Sequence, residues 1–214
     1  MGIRRKNTSE WWREKLSGTD FWSDRYEKEG QIWLDTPSLT ALFVEKVANK
    51  KLEILEVGFG YGRDVAYLSQ KGYQLSGIEQ AEVGYQMAQQ QLQGLSPDLI
   101  QGDFLTTNFN QQYDIIYSHR VAHLFTEVDQ VQDFAQKLAS TVKPKGKIFI
   151  SARDARGTKP KRKGHQVNFW DENRFETVFE KDFLIQQFTK GEEIESKSNP
   201  QPTYFTLMIA ERRP

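Results

Sequence analysis

The chain reads as an α/β protein: a doubly wound, mostly parallel sheet of seven strands, with helices on both faces and an N-terminal helical cap. Three observations predict this. From residue 52 onward, short apolar runs alternate with longer segments of helical period. The connections between them are short, which calls for parallel strands joined by crossover helices. A glycine-rich turn, Gly58-Phe59-Gly60-Tyr61-Gly62, lies between the first such run and the helical segment that follows it.

The elements follow in order. Residues 10–34 carry Trp11, Trp12, Phe21, Trp22, Tyr26 and Trp33 among many charges, as expected of one or two amphipathic helices packed on another surface. We therefore divide the chain into a cap, 1–36, and a main domain, 37–214. Thr36-Pro37-Ser38 is a helix-start signal, and Leu39, Leu42, Phe43, Lys46 and Val47 keep the 3.6 period across 39–50. Residues 52–57 form a short, largely apolar run that suits a buried parallel strand. The spacing then predicts helix over 63–71, strand over 73–78, helix over 82–93, and strands over 98–101 and 113–118. Val128, Val131, Ala135, Leu138 and Val142 mark one face of the next helix, which Lys143-Pro144-Lys145-Gly146 ends before a fifth strand over 147–151. A long polar loop leads to a helix near 172–180 and to strands over 183–188 and 204–210. Those two strands are expected to form a hairpin at one sheet edge.

Composition narrows the function. With 37% hydrophobic and 13% aromatic residues among 214, the chain can bury a core and is not wholly disordered. Twenty-nine Lys and Arg balance 29 Asp and Glu, so no net field draws the molecule to DNA or to an anionic membrane. The absence of cysteine excludes disulfides, Cys-ligated zinc, iron–sulfur clusters and thiol nucleophiles. No apolar stretch approaches the roughly 18 residues of a membrane span. The basic opening is followed by polar residues and Trp11-Trp12, unlike a signal peptide. A cytoplasmic protein is expected, with no metal site.

The most specific feature is Glu56-Val57-Gly58-Phe59-Gly60-Tyr61-Gly62-Arg63-Asp64. In an open α/β sheet ligands lie outside the carboxyl ends of the strands, where this loop falls. Its glycines let the chain turn sharply and bring main-chain N–H groups close to a ligand. A dinucleotide fingerprint would need Gly or Ala at position 63, and this chain has Arg63 there. That argues against the alternative of a nicotinamide-dependent oxidoreductase. Glu79 closes the second strand, where a carboxylate can accept from both ribose hydroxyls. Asp103, in Gly102-Asp103-Phe104 after the third strand, can accept from the exocyclic amine of adenine, and Phe104 can flank the ring.

The 56–62 segment, Glu79 and Gly102-Asp103-Phe104 resemble motifs I, II and III of class I S-adenosylmethionine-dependent methyltransferases. The resemblance covers about residues 50 to 155. It implies S-adenosylmethionine as cofactor, with Glu56, Gly58, Gly60 and Gly62 around the methionyl part, Glu79 on the ribose, and Asp103 with Phe104 at the adenine. The aromatic N-terminal segment and Gly62-Arg63-Asp64 are similar to small-molecule branches such as the thiol, halide and tellurite-resistance methyltransferases. That narrower likeness implies that Trp33 covers the cofactor and helps to shape the acceptor pocket.

Methyl transfer from a sulfonium is a one-step in-line displacement, which needs alignment and exclusion of water more than a covalent nucleophile. Tyr26, Trp33 and Tyr61 are candidate walls, since aromatic faces tolerate a sulfonium cation. His119 is the candidate acid/base or orienting group, ahead of His123. Arg120 is paired with it as a catalytic candidate and, like Arg153, can hold an anionic acceptor. Ser118 is followed by His119 and Arg120, not by the Pro-Pro-aromatic step found in enzymes that methylate exocyclic amines of bases or Gln. Cytosine C5 and arsenite methylation as usually performed need cysteine. The basic run Arg153, Arg156, Lys159, Lys161, Arg162 and Lys163 leaves open an RNA or protein methyltransferase that docks its target through loop 153–165. The expected partner is a small-molecule acceptor rather than nucleic acid or membrane, and the oligomeric state is left open.

Overall fold

The computed structural model describes residues 19–156, 168–194 and 201–214. Trp11, Trp12, and Lys159 to His165 of the basic run lie outside the described residues. The strands are β1 (Glu53–Val57), β2 (Gln74–Glu79), β3 (Asp98–Gln101), β4 (Tyr113–His119), β5 (Val142–Arg153), β6 (Phe183–Glu193) and β7 (Thr203–Arg212). The helices are α1 (Thr19–Glu29), α2 (Leu39–Val47), α3 (Arg63–Gln70), α4 (Glu82–Gln91), α5 (Val128–Thr141) and α6 (Glu172–Phe179).

All seven strands form one sheet in the order β3-β2-β1-β4-β5-β7-β6. The pairs from β3 to β5 are parallel. β7 runs antiparallel to both β5 and β6, so the closing strands form the expected edge hairpin, with β7 inserted between β5 and β6.

Neighbouring residues on a strand point to opposite faces, and the two cores obey this. Ile54, Ile115, Tyr117, Phe149, Leu207 and Ile209 pack with Ala41 and Val44 of α2, Val65 and Leu68 of α3, and Ala88 of α4. Leu55, Ile116, Ile148, Ile150, Met208 and Ala210 pack with Val131, Phe134 and Leu138 of α5, and with Phe175 and Phe179 of α6. Both faces are covered, which is why the central strands read as continuous apolar runs.

Local chemistry sets the boundaries. Ser38 caps α2, its Oγ accepting from Ala41 N at 3.1 Å, and Asp171 caps α6, accepting from Arg174 N at 2.9 Å. The turn predicted over 143–146 is instead assigned to β5, which begins at Val142. It loops out between the pairs Tyr113↔Val142 and Ile115↔Lys147. Lys143 Nζ fastens this bulge to Asp114 at 2.9 Å and Glu53 at 3.0 Å. β6 runs to Glu193, five residues past the expected end, because it stays paired with β7 as far as Glu193↔Thr203. On an exposed edge that pairing leaves no apolar alternation to read.

Candidate active site

The chain leaves β1 toward β2 and β3, then returns to β4 on the other side. That reversal opens a crevice at the carboxyl ends of β1 and β4, the ligand position of such sheets. The glycine loop spans it. Gly58, Gly60 and Gly62 have φ of 76°, 59° and 86°, the left-handed region that side chains disfavour. Gly58 also has no room for a side chain, since a Cβ there would overlap Val121. At Gly62, the N-cap of α3, a Cβ would lie 3.0 Å from Ala88 Cβ, so this glycine lets α4 pack close.

Glu79 lies at the end of β2 and holds the loop. Its Oε2 accepts from Gly60 N at 2.7 Å and its Oε1 from Ala81 N at 2.8 Å. Burial raises its pKa, and the hydrogen bonds from Ala81, Gly60 and Gln80 oppose the rise. With these three backbone donors on about four acceptor sites, the carboxylate keeps one for a ligand hydroxyl. Gly102 N donates to Glu79 O at 2.9 Å, which brings the β3 exit beside the β2 exit. There Asp103 Oδ1 accepts from Leu105 N at 2.9 Å, and Oδ2 is left for a donor. Phe104 is only 6% exposed and packs against Phe109 and Phe134, so it forms part of the core beneath this corner.

Glu56 is buried on β1, 3% exposed, and accepts from Tyr117 Oη at 2.6 Å. Burial and then the neighbouring Asp64 carboxylate push its pKa well up, which favours the neutral acid. Asp64, in the first turn of α3, accepts from Ser38 N at 2.8 Å and from Arg63 Nε at 3.2 Å. These contacts tie the loop to the start of α2. Sequence reasoning did not single out Tyr117, although strand alternation puts it on the face of α2 and α3.

α1 and the residues just after it pack over the same place. Tyr26 is 5% exposed and meets Tyr61 edge to face at 6.0 Å. Burial, then the Glu79 carboxylate and Tyr61, push the Tyr26 hydroxyl above the usual phenol range, while a hydrogen bond with the Trp33 side chain opposes this. Burial likewise pushes Tyr61 up to about 12. The Tyr61 hydroxyl accepts from Trp33 N at 3.1 Å and donates to Trp33 O at 3.2 Å, clasping the cap's main chain. The half-buried Trp33 ring packs near Trp22, with the Arg25 guanidinium 5.2 Å from its centre.

His119 ends β4. Its Nδ1 lies 2.9 Å from Thr40 Oγ1 and 3.1 Å from Ser151 Oγ, and its Nε2 is 3.6 Å from Glu193 Oε2. Both ring nitrogens face protein groups, which suits an orienting role. Glu193 also caps α2, its Oε1 accepting from Leu39 N at 2.9 Å. Glu193, Thr40 and Ser151 carried no signal in the sequence, because nothing local marks a side chain that meets a residue scores of positions away. Arg120 adopts φ 64°; its N donates to Ser151 O at 3.1 Å and its Nη2 to Thr203 O at 3.3 Å. His123 is buried, and its carbonyl accepts from Asn168 N at 2.8 Å. Arg153 pairs in register with Phe205 of β7, and its carbonyl accepts from Trp170 N at 2.8 Å. Arg156 pairs with the buried Asp154, donating to its Oδ1 and Oδ2 from Nε at 3.1 and 2.9 Å.

A sheet of this order, with a glycine loop after β1 and carboxylates at the exits of β2 and β3, is the arrangement that the sequence resemblance leads us to expect. Residues 54–146 match the family model described as a methyltransferase domain. The segment that holds the glycine loop, Glu79 and Asp103 thus matches a methyltransferase domain, and S-adenosylmethionine-dependent methyltransferases are among the solved structures of the same fold. Solved structures share its fold. One comes from work on conversion of a disulfide bond into a thioacetal group during echinomycin biosynthesis. It is 18% identical with a TM-score of 0.78, over 91% of this chain and 93% of that one. An S-adenosylmethionine-dependent methyltransferase from Anabaena variabilis is 14% identical with a TM-score of 0.75, over 94% and 95%. TehB from Haemophilus influenzae is 19% identical with a TM-score of 0.65, over 91% of this chain and 67% of its own. No curated protein matches the sequence.

Proposed function

We propose that the enzyme transfers the methyl group to a small-molecule acceptor by in-line displacement, working in the cytoplasm. The observation that carries this reading is the aromatic cap seated on the glycine loop, Tyr26 against Gly60 and Trp33 clasped by Tyr61. A cap over the loop suits a compact acceptor that enters the crevice rather than a macromolecule docking on an open platform. The relative studied for echinomycin biosynthesis supports the same class of acceptor. Part of the basic run also has an internal role, since Arg156 is committed to Asp154.

The residues present fit the cofactor. For S-adenosylmethionine, Glu79 keeps an acceptor site beside the glycine loop, and Asp103 Oδ2 is open at the neighbouring exit among the described residues. On this reading Glu79 holds the ribose, Asp103 the adenine amine, and the loop around Gly58, Gly60 and Gly62 the methionyl part, with Glu56 beneath. When bound, S-adenosylmethionine supplies a methyl on a cationic sulfur. Tyr26, Tyr61 and Trp33 keep water away and present aromatic surface to that charge. His119, fixed by Thr40, Ser151 and Glu193, orients the acceptor side of the crevice, and Arg120 offers it a cation. A panel of thiols, amines, phenols and halides, assayed by release of S-adenosylhomocysteine, tests the proposal. Turnover with one of them is expected. Turnover confined to RNA or protein substrates would overturn it.

A further inference from the structure

The docking of the cap turns on two residues that lack side chains. A Cβ at Gly60 would lie 2.7 Å from Tyr26 Oη, so the phenol occupies the place where a side chain would begin. On the other side, a Cβ at Gly84 would lie 3.0 Å from Tyr26 Cε2 and 3.1 Å from the Gly60 carbonyl oxygen. Gly84 is in the first turn of α4 and is itself buried. Tyr26 is therefore wedged between the loop and α4. One turn earlier on α1, Ser23 Oγ accepts from Val83 N at 3.5 Å, which sets the two helices against each other at the same level.

Glycine is the poorest helix former after proline, so its contribution at position 84 is room. That room does not serve either face of the sheet: Tyr26 belongs to a separate cluster with Ile32, Tyr61 and Ala81. The notch also coincides with the ligand groups, because Gly60 N is the donor held by Glu79 Oε2. Whatever binds along Gly60 and Glu79 lies against the Tyr26 ring.

We propose that Tyr26 is a cofactor-retaining residue and Gly84 the residue that positions it: the ring bars a ligand on the glycine loop from leaving until α1 lifts. This rests on the placement of the cofactor at that loop. The test is the dissociation rate of S-adenosylhomocysteine from the full-length enzyme, followed by stopped-flow tryptophan emission, with far-UV circular dichroism as a check on the fold. Gly84→Ala should release the product about tenfold faster, since changes within one site act mostly on the off-rate. Tyr26→Ala should do the same, and Tyr26→Phe, which keeps the ring, should stay near the wild-type rate. The double variant separates the two contacts of the added methyl: a rate no faster than Tyr26→Ala alone assigns the effect to the ring, whereas a further increase would assign it to the Gly60 carbonyl. A wild-type rate in Gly84→Ala, or effects that simply add, would overturn the proposal. If the wild-type enzyme binds no S-adenosylhomocysteine, the cofactor placement falls with it. The unliganded emission of Gly84→Ala would still report separately whether the notch seats the cap.

Discussion

Glu79 does two jobs with one carboxylate: it holds Gly60 N and Ala81 N, and on our reading it receives the ribose. Removing it therefore loosens the loop as well as the ligand. Glu79→Ala should weaken S-adenosylhomocysteine binding by about 1–3 kcal/mol, the scale of hydrogen bonds to a charged group, as titration calorimetry would show. The pH dependence follows from burial. Its pKa is raised above the ordinary 4.5, and the ionised form is the one that accepts on all sides. Affinity should accordingly fall as pH drops through that raised value, earlier than an exposed glutamate would dictate, and Glu79→Gln should abolish this dependence. A flat profile in the wild-type enzyme would show that the carboxylate does not grip the ligand.

At the scale of elements, the sheet edge and the helices make separate contributions. Asp154, just beyond β5, is buried yet held below its usual pKa. Burial alone would raise it, but the side-chain and backbone hydrogen bonds of Arg156 win. A depressed carboxyl stabilises the fold above the ordinary value of 3.8, and that support is lost as pH falls through the lower folded value. Asp154→Asn should lower the melting temperature at pH 7 and flatten the acid limb of the stability curve. In the core under the same face of the sheet, Phe134 of α5 is fully buried among Phe104 and Phe125. Phe134→Ala should cost about 3–5 kcal/mol in chemical denaturation. These elements were legible where one period dominates: α5 announced itself through Val131, Ala135 and Leu138, and β1 through its apolar run. β6 was half hidden, because the polar residues 189–193 have pairing partners but no apolar side chains to mark their inward face. Within the site, the glycine loop, Glu79 and Asp103 were readable because their spacing is local. The partners of His119 were not, since Thr40, Ser151 and Glu193 converge only in three dimensions. The notch at Gly84 was equally silent, as a helical glycine looks like a defect until Tyr26 is seen beside it.

For the molecule as a whole, equal numbers of acidic and basic residues bear on how substrates arrive. A neutral enzyme that takes a small acceptor should keep its turnover when salt rises from about 50 to 200 mM. An RNA-docking enzyme with several phosphate contacts would lose orders of magnitude in affinity over the same range. A steep salt slope in kcat/KM would therefore return the 153–165 segment to the centre of the problem.

The interleaving of the edge hairpin carries a consequence for assembly. Until residues 203–212 slot home, β5 has an open flank and β6 has no neighbour to lean on. Glu193, at the far end of β6 opposite Thr203, then cannot reach Leu39 or His119. The side of the crevice that we assign to the acceptor is thus completed only when the outermost part of the sheet locks. A fault at that margin should be felt as a failure of catalysis before it is felt as a failure to fold.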